Sequence, residues 1–397
     1  MPENEKILID STISRIPPKT QTIVSHAHSD HFSALNSYSP TLATKETIDL
    51  YTIQKGNRIK GKYRSVQLGE KITIETTLGI VTITFVPSGH VLGSASILIE
   101  FDNERLLFSS DIGAKGILTV NHSLKPVKAD HLIVEATFGS PRARFPPRQE
   151  IAMDILRWTA DIAKEKMIAV FSAGKIGSAQ ELIKLFNDYT NLRVLTHGSV
   201  TPVSEVHKKY GIDLEFFDSR SEEGREILRE GDAVVIQQRG KKIVPFFMKE
   251  YYKCKRAIVT GMVTKYPFKT FDAAFPLSSH ANYYEILDYI EQVSPAKVFT
   301  IYGDEDELAK NIYKKFGISA KPIKQKIVHE LEVLLPLQES DSSSSPTTSS
   351  SVAAPSSKVP LQSNPTTIPP ITTKKGHSKN NEKKDLTLDD FLPIVDQ

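Results

Sequence analysis

Short apolar runs that end at polar residues alternate with turn-forming residues over the first part of the chain. Such runs are typical of buried strands. They occupy residues 7–9, 22–24, 81–86, 106–108 and 132–138. Few stretches of helical periodicity separate them, which favours β-sheets stacked face to face with helices outside. We therefore predict an αββα sandwich that begins within residues 1–139.

The pattern changes after residue 139. Residues 151–166 and 177–187 have helical periodicity, and apolar runs at residues 167–171, 192–195, 233–236 and 257–260 are typical of buried strands. Strands that alternate with helices indicate a parallel, doubly wound sheet. We predict an inserted α/β domain over residues 140–268, with the sandwich resuming over residues 269–337.

Ser, Thr, Pro and Lys dominate the sequence from residue 338 onwards. Such a composition buries too little apolar surface to offset the entropy of ordering, so residues 338–397 are predicted to be disordered. Within residues 385–393, a short helix would carry Leu388, Phe391 and Leu392 on one face. This segment is either a solubility tail or a peptide that docks in the groove of a protein partner.

Composition excludes several classes of protein. The net charge is only +3 over 397 residues, so a nucleic-acid surface would have to come from local clusters of basic residues. The single cysteine, Cys254, excludes an internal disulfide and a cysteine-rich zinc site. The first residues are charged, and no apolar run approaches the roughly 20 residues of a membrane span. We expect a cytoplasmic protein without a membrane segment.

Four candidate metal ligands follow the strand at residues 22–24. His26, His28, Asp30 and His31 lie within six positions. Imidazole and carboxylate are zinc ligands, and alternate residues of an extended chain point to the same side. His26 and His28 can therefore bind one metal ion, while Asp30 and His31 can reach a second.

Further candidates follow later strands in the same way. His90 comes after the strand at residues 81–86, and Asp111 comes after the strand at residues 106–108. Asp10 ends the first strand. Each is weak evidence alone, because Asp and His are common in turns, but their order along the chain makes coincidence improbable.

These motifs resemble the metal site of the metallo-β-lactamase superfamily. The resemblance implies that His90 completes the site of His26 and His28. It also implies that Asp111 bridges two metal ions and that Asp10 orients the ligands without binding metal.

The inserted domain narrows the resemblance to the β-CASP nuclease branch of that superfamily. Glu135 matches the branch's acidic residue after the bridging Asp, and His280 matches its histidine at the return to the sandwich. Tyr302 stands where a third motif usually has histidine. Residues 136–141 and 144–146 are similar to DNA ligase-associated exonucleases and to archaeal proteins labelled mRNA 3′-end processing factors.

The resemblance implies a zinc-dependent nuclease in which Asp30, Glu135 and His280 act in catalysis. His280 would contact the scissile phosphate or protonate the leaving group, and Glu135 would orient it. A phenol with a pKa of about 10 is a poor zinc ligand, so Tyr302 leaves the second site one ligand short. We predict one tightly bound zinc and a second that is weak or absent.

Basic residues near these motifs are candidate contacts to nucleic acid. They are Arg142, Arg144, Arg148, Lys175, Arg239 and Lys241. The substrate prediction favours DNA over RNA by a small margin, with an exonuclease linked to repair or ligation. The alternatives are an RNA 3′-end processing nuclease, a small-molecule metallo-hydrolase and a non-catalytic nuclease-like scaffold.

Overall fold

The structure is a computed structural model, and it describes residues 6–11, 16, 20–56, 59–76, 79–240 and 253–323. The predicted disordered region 338–397 with its docking segment 385–393 lies outside these residues, as does Lys241. In the described part, no helix combines the length and apolar character that a membrane crossing requires.

The described residues form strands, α-helices and two short 3₁₀ turns. The strands are β1 Lys6–Ile9, β2 Thr20–Ile23, β3 Thr41–Thr44, β4 Tyr63–Val66, β5 Lys71–Thr76, β6 Gly79–Pro87, β7 Ala95–Phe101, β8 Glu104–Phe108, β9 His131–Ala136, β10 Ile168–Ala173, β11 Arg193–His197, β12 Phe217–Asp218, β13 Ala233–Gln238, β14 Cys254–Val259, β15 Ala273–Phe275, β16 Lys297–Gly303 and β17 Ser319–Pro322. The α-helices are α1 Lys45–Lys55, α2 Arg148–Lys164, α3 Ser178–Tyr189, α4 Val200–Lys209, α5 Glu222–Glu230, α6 Tyr283–Val293 and α7 Glu305–Phe316. Single 3₁₀ turns lie at Ser33–Asn36 and Gly261–Thr264.

Two sheets form the sandwich. The first is parallel, in the order β1-β2-β3-β4, and the second runs β17-β16-β9-β8-β7-β6-β5. In the second sheet, β5 to β8 are antiparallel neighbours, whereas β8, β9, β16 and β17 pair in parallel. The parallel part places the ends of β8, β9 and β16 at one edge of the sheet.

Apolar side chains alternate between the two faces of each sheet, so each sheet has an inner and an outer core. Ile9 and Ile23 of the first sheet pack against Phe85 and Phe108 of the second. On the outer faces, α1 covers the first sheet, and α6 and α7 cover the second. The predicted αββα sandwich is therefore confirmed.

The insert is built around a parallel sheet in the order β12-β11-β13-β10-β14-β15. One face packs against α2 and α3, through residues such as Ile155 and Phe186, and the other packs against α5 through Ile227 and Leu228. This is the doubly wound arrangement that the sequence predicts. The sheet continues through Ala273–Phe275, beyond the predicted boundary at residue 268, because this short strand pairs with β14.

The candidate metal and catalytic residues lie at or soon after the ends of strands. Asp10 follows β1, residues 26–31 follow β2, and His90 follows β6. Asp111 follows β8, and Glu135 lies near the end of β9. His280 follows β15, where the chain leaves the insert, and its backbone forms an antiparallel bridge to Gly113.

Candidate metal and catalytic site

Four side chains form a tight group of possible metal ligands. The Nδ1 atom of His28 lies 3.1 Å from Nε2 of His26 and 3.1 Å from Nε2 of His90. The Oδ2 atom of Asp111 lies 3.4 Å from Nε2 of His26 and 3.6 Å from Nε2 of His90. One ligand atom from each residue lies within 4.8 Å of all the others, so the four atoms can face a single ion.

Hydrogen bonds on the far side of two rings turn their Nε2 atoms toward the centre of this group. Nδ1 of His26 is hydrogen-bonded to the hydroxyl of Ser25 at 2.9 Å. Nδ1 of His90 donates to the backbone carbonyl of Ser279 at 3.2 Å. Metal-ligating histidines are oriented in this way in proteins.

His28 is oriented by the insert. Its Nε2 donates to the backbone carbonyl of Ile176 at 3.4 Å, which leaves Nδ1 facing the group. Around this contact, Ala27, Val91 and Leu92 of the sandwich pack against Ile176 of the insert. The turn between β10 and α3 therefore covers the His28 side of the site.

The protonation states suit a metal ion. Burial and the neighbouring His26 lower the pKa of His28 to about 3. Burial and His280 hold the pKa of His90 well below its ordinary value. Both imidazoles are therefore neutral at pH 7, which is the form that binds metal, and three imidazoles with one carboxylate are a donor set that zinc accepts.

The predicted ligands of a second ion form a more open group. Nε2 of His31 lies 3.6 Å from Oδ2 of Asp30 and 3.6 Å from Oδ2 of Asp111. The Asp30 side chain is 74% exposed, whereas that of His31 is buried. This side of the site faces solvent.

Asp10 orients the ligand-bearing loops. Its carboxylate accepts hydrogen bonds from the backbone N–H and the hydroxyl of Ser25, at 2.8 and 2.6 Å. It also accepts from Nδ1 of His31 at 2.9 Å and from the hydroxyl of Ser110 at 3.3 Å. Burial would lower the pKa of His31, but Asp111 and Asp10 raise it to about 10.

Tyr302 lies beside His31 at the predicted fourth position of the second site. Its backbone has a φ of +63°, and the pairing of β16 with β9 is irregular there. Its ring lies edge-on to the His31 ring, with centroids 5.7 Å apart. Burial and nearby carboxylates, Asp10 first, raise the pKa of the phenol. Tyr302 therefore stays protonated, and a neutral phenol is a weak metal ligand.

His280 and Glu135 form a pair on the other side of Asp111. Nδ1 of His280 lies 3.1 Å from Oε2 of Glu135, and Oε1 of Glu135 accepts from the backbone N–H of Ile112 at 2.7 Å. Nε2 of His280 consequently faces the site, 3.8 Å from Oδ2 of Asp111. Burial opposes a charge on His280, but Glu135 and Asp111 raise its pKa to about 9. The ring is held in one orientation with a donor toward the site.

The predicted nucleic-acid contacts lie in different parts of the structure. Arg142 and Arg144 are exposed in the segment after β9, and Lys175 is half-buried in the turn before α3. Arg239 donates to the hydroxyl of Thr260 at the ends of β13 and β14.

Arg148, another candidate contact, is already paired with residues of the protein. Its guanidinium donates to Glu181 at 2.6 Å and to the backbone carbonyl of Ser278 at 2.9 Å, and both partners are buried. Glu181 also accepts from the N–H of Leu118 and the hydroxyl of Thr119, both in the sandwich. Arg148 thus joins the insert to the sandwich, and its role as a phosphate contact stays a prediction.

Three orienting groups were not predicted from the sequence. They are the hydroxyls of Ser25 and Ser110 and the backbone carbonyl of Ser279. Ser25 could have been found, because it lies between the strand and the first histidine. Ser110 and Ser279 carry no comparable signal, because their partners are distant in sequence.

Known proteins resemble the chain in sequence. Residues 273–322 match the family described as the Zn-dependent metallo-hydrolase RNA specificity domain. A protein of Opitutus terrae named "Probable DNA ligase" is 28% identical over 358 residues, which is 87% of this chain and 33% of the relative. The "RNase J-like protein" of Methanocaldococcus jannaschii is 25% identical over 210 residues, which is 47% of this chain and 49% of the relative. The chain thus spans less than half the length of either relative.

A solved structure supports the fold. A protein of unknown function from Enterococcus faecalis V583 superposes with a TM-score of 0.54 at 14% sequence identity. The match covers 79% of this chain and 81% of the other. The shared architecture therefore extends over the sandwich and insert together.

Proposed function

We propose that this chain is a metal-dependent nuclease of the β-CASP branch of the metallo-β-lactamase superfamily, and that it hydrolyses phosphodiester bonds. The observation that carries the proposal is the His280–Glu135 pair, which faces the four-ligand group across Asp111. A plain metallo-hydrolase site would need the metal ligands alone. The added pair supplies an oriented donor beside them.

The four-ligand group is proposed to hold one zinc ion tightly. Its ligands are His26, His28, His90 and Asp111. When bound, zinc supplies a Lewis acid for phosphoryl oxygens and lowers the pKa of a coordinated water. A second ion is proposed to bind weakly or not at all, because Asp30 is exposed and Tyr302 occupies the fourth position.

His280 and Glu135 have separate tasks in this proposal. Glu135 holds Nδ1 of His280, so that its Nε2–H can donate to a phosphoryl oxygen or give its proton to the leaving oxygen. The backbone N–H of Ile112, next to Asp111, holds Glu135 in place. Asp30 lies on the solvent side, where substrate can approach.

The proposed substrate is DNA, with an exonuclease activity linked to ligation. The match of 87% of the chain to part of a protein named a probable DNA ligase supports this choice. An RNA-processing nuclease is the second candidate. The RNA specificity domain at residues 273–322 and the RNase J-like relative favour it.

A direct test uses end-labelled single strands of DNA and RNA with equal sequence. Wild-type protein should shorten at least one of them, DNA faster, and Asp30→Ala should be strongly impaired. Replacement of the exposed His122 by Ala is the matched control and should retain full activity. Equal activity in wild type and Asp30→Ala would remove the nuclease assignment. Preference for RNA would select the second candidate.

A further inference from the structure

An exposed tyrosine and an exposed arginine contact each other beside the chain segment that carries His280. Tyr284 lies in the first turn of α6, four positions after His280, and is 52% exposed. The guanidinium of Arg144 lies over its ring, 5.7 Å from the centroid. The Nε of Arg144 donates to the backbone carbonyl of Pro141 at 3.2 Å. We call this pair the Arg144–Tyr284 platform.

The tyrosine of the platform is held in place by its neighbours on α6. Tyr283 is buried in the outer core of the second sheet. Its ring lies edge-on to the ring of Tyr284, with the centroids 5.3 Å apart. Asn282 caps α6 by accepting from the backbone N–H groups of Tyr284 and Glu285. The Tyr284 backbone is therefore fixed before any ligand binds.

Packed rings lead from His280 of the catalytic pair to the residue next to Arg144. The ring of Phe138 lies 5.9 Å from that of His280 and 4.9 Å from that of Phe145. Phe145 directly follows Arg144 in sequence. Phe138 and the backbone at residues 280–284 thus place the platform beside His280, on the segment that carries it.

We propose that the Arg144–Tyr284 platform stacks on a base of a single-stranded segment that flanks the bond to be cleaved. This inference rests on the proposed nuclease function and names the substrate form that it prefers. Aromatic rings bind bases in a sequence-tolerant way, and arginine adds attraction for both the π-face and the phosphates. In a duplex the bases are already stacked, so the platform favours single strands or unpaired ends.

The test measures binding of a fluorescent single-stranded oligonucleotide by anisotropy. All variants carry Asp30→Ala, so that the strand stays intact. Tyr284→Ala should raise Kd about 5- to 150-fold, which corresponds to the roughly 1–3 kcal/mol of a stacked base. Tyr284→Trp should bind as well as the parent or better. Arg144→Gln should show a smaller loss.

Two controls separate stacking from a structural role. Tyr313→Ala removes a tyrosine of similar exposure (65%) on α7 and should leave Kd unchanged. Tyr284→Leu keeps an apolar side chain but removes the ring, so it should lose affinity at an unchanged melting temperature. If Tyr284→Ala and Tyr284→Leu both bind like Tyr313→Ala, the platform proposal is wrong.

A second readout keeps the two proposals apart. With Asp30 present, Tyr284→Ala should hydrolyse bis(p-nitrophenyl) phosphate at the wild-type rate, because this small diester has no flanking base. Failure of the wild type to hydrolyse any diester would refute the nuclease function, while the anisotropy result would still decide the platform. A loss of small-diester hydrolysis in Tyr284→Ala would contradict a role confined to stacking.

Discussion

The two sides of the histidine cluster differ in what surrounds their ligands. On the His26–His28–His90 side, two of the three rings are fully buried, and each ring has its outer nitrogen engaged by a hydroxyl or a carbonyl. On the His31 side, Asp30 is exposed and the ring beside His31 is the phenol of Tyr302.

The two sides differ in how far their ligand atoms are in position before an ion binds. On the buried side, the ligand atoms already face one another, so binding an ion costs little reordering. On the open side, a bound ion would have to immobilise the Asp30 side chain, and His31 gives its Nδ1 to Asp10. The same cluster thus combines a buried group of candidate metal ligands with an open face.

Removal of a buried ligand should have the largest effect. His90→Ala leaves the first site with three ligands, so we expect zinc to be lost on dialysis and strand cleavage to fall by about 10³-fold or more. Metal analysis and end-labelled cleavage measure both. His122→Ala is the control, and retention of zinc by His90→Ala would argue against the buried site.

Removal of His280 should separate catalysis from metal binding. His280→Ala is expected to reduce cleavage on the order of 10²-fold, the lower range for loss of a general acid, with unchanged zinc content. Glu135→Gln should fall between His280→Ala and wild type, because one oxygen can still accept from the ring. A His280 variant that loses zinc would make it a ligand instead.

The open side can be converted to resemble the buried side. Tyr302→His restores an imidazole at a position with φ of +63°, which histidine tolerates better than most residues. We expect zinc retained after dialysis to rise from about one toward about two ions per chain. Tyr302→Phe serves as the control and should stay at one. Equal zinc in both variants would show that the tyrosine does not limit the second site.

A substitution in the turn that covers His28 should lower the stability of the protein. Gly177 has a φ of +92°, and a Cβ there would collide with the Ser279 hydroxyl. Gly177→Ala is expected to cost about 2–4 kcal/mol of stability from strain and overpacking. Gly198→Ala, with φ of +67° and no atom near the new Cβ, should cost only about 1 kcal/mol. Thermal unfolding compares them, and equal losses would mean that the contact at Ser279 is loose.

Much of this architecture follows from local sequence. His26, His90 and Asp111 each end an apolar run, and strand ends that share a sheet edge bring such residues together. The doubly wound insert follows equally from its alternation of strands and helices. The sequence does not predict the short strand β15, because three residues carry no periodicity. The pairing of β15 with β14 extends the sheet of the insert beyond the predicted boundary at residue 268.

The sequence could not predict interactions that join distant segments. Arg148 reads as a free basic residue, but its partner Glu181 is 33 positions away. Ser279 offers a backbone carbonyl, which any residue could supply. The sequence also does not predict the left-handed backbone of Asp10, Ser110 and Tyr302. Tertiary contacts impose this conformation, and none of the three positions is a glycine, which would have indicated it.

In the proposed mechanism, one tightly held zinc ion supports phosphodiester cleavage. The most direct test is to remove metal from the full-length protein with a chelator, add zinc in known amounts and follow cleavage of an end-labelled DNA strand. Activity should return and level off at about one zinc per chain. Cleavage without added metal, or activity that levels off only at two zinc ions per chain, would contradict a nuclease that works with one zinc.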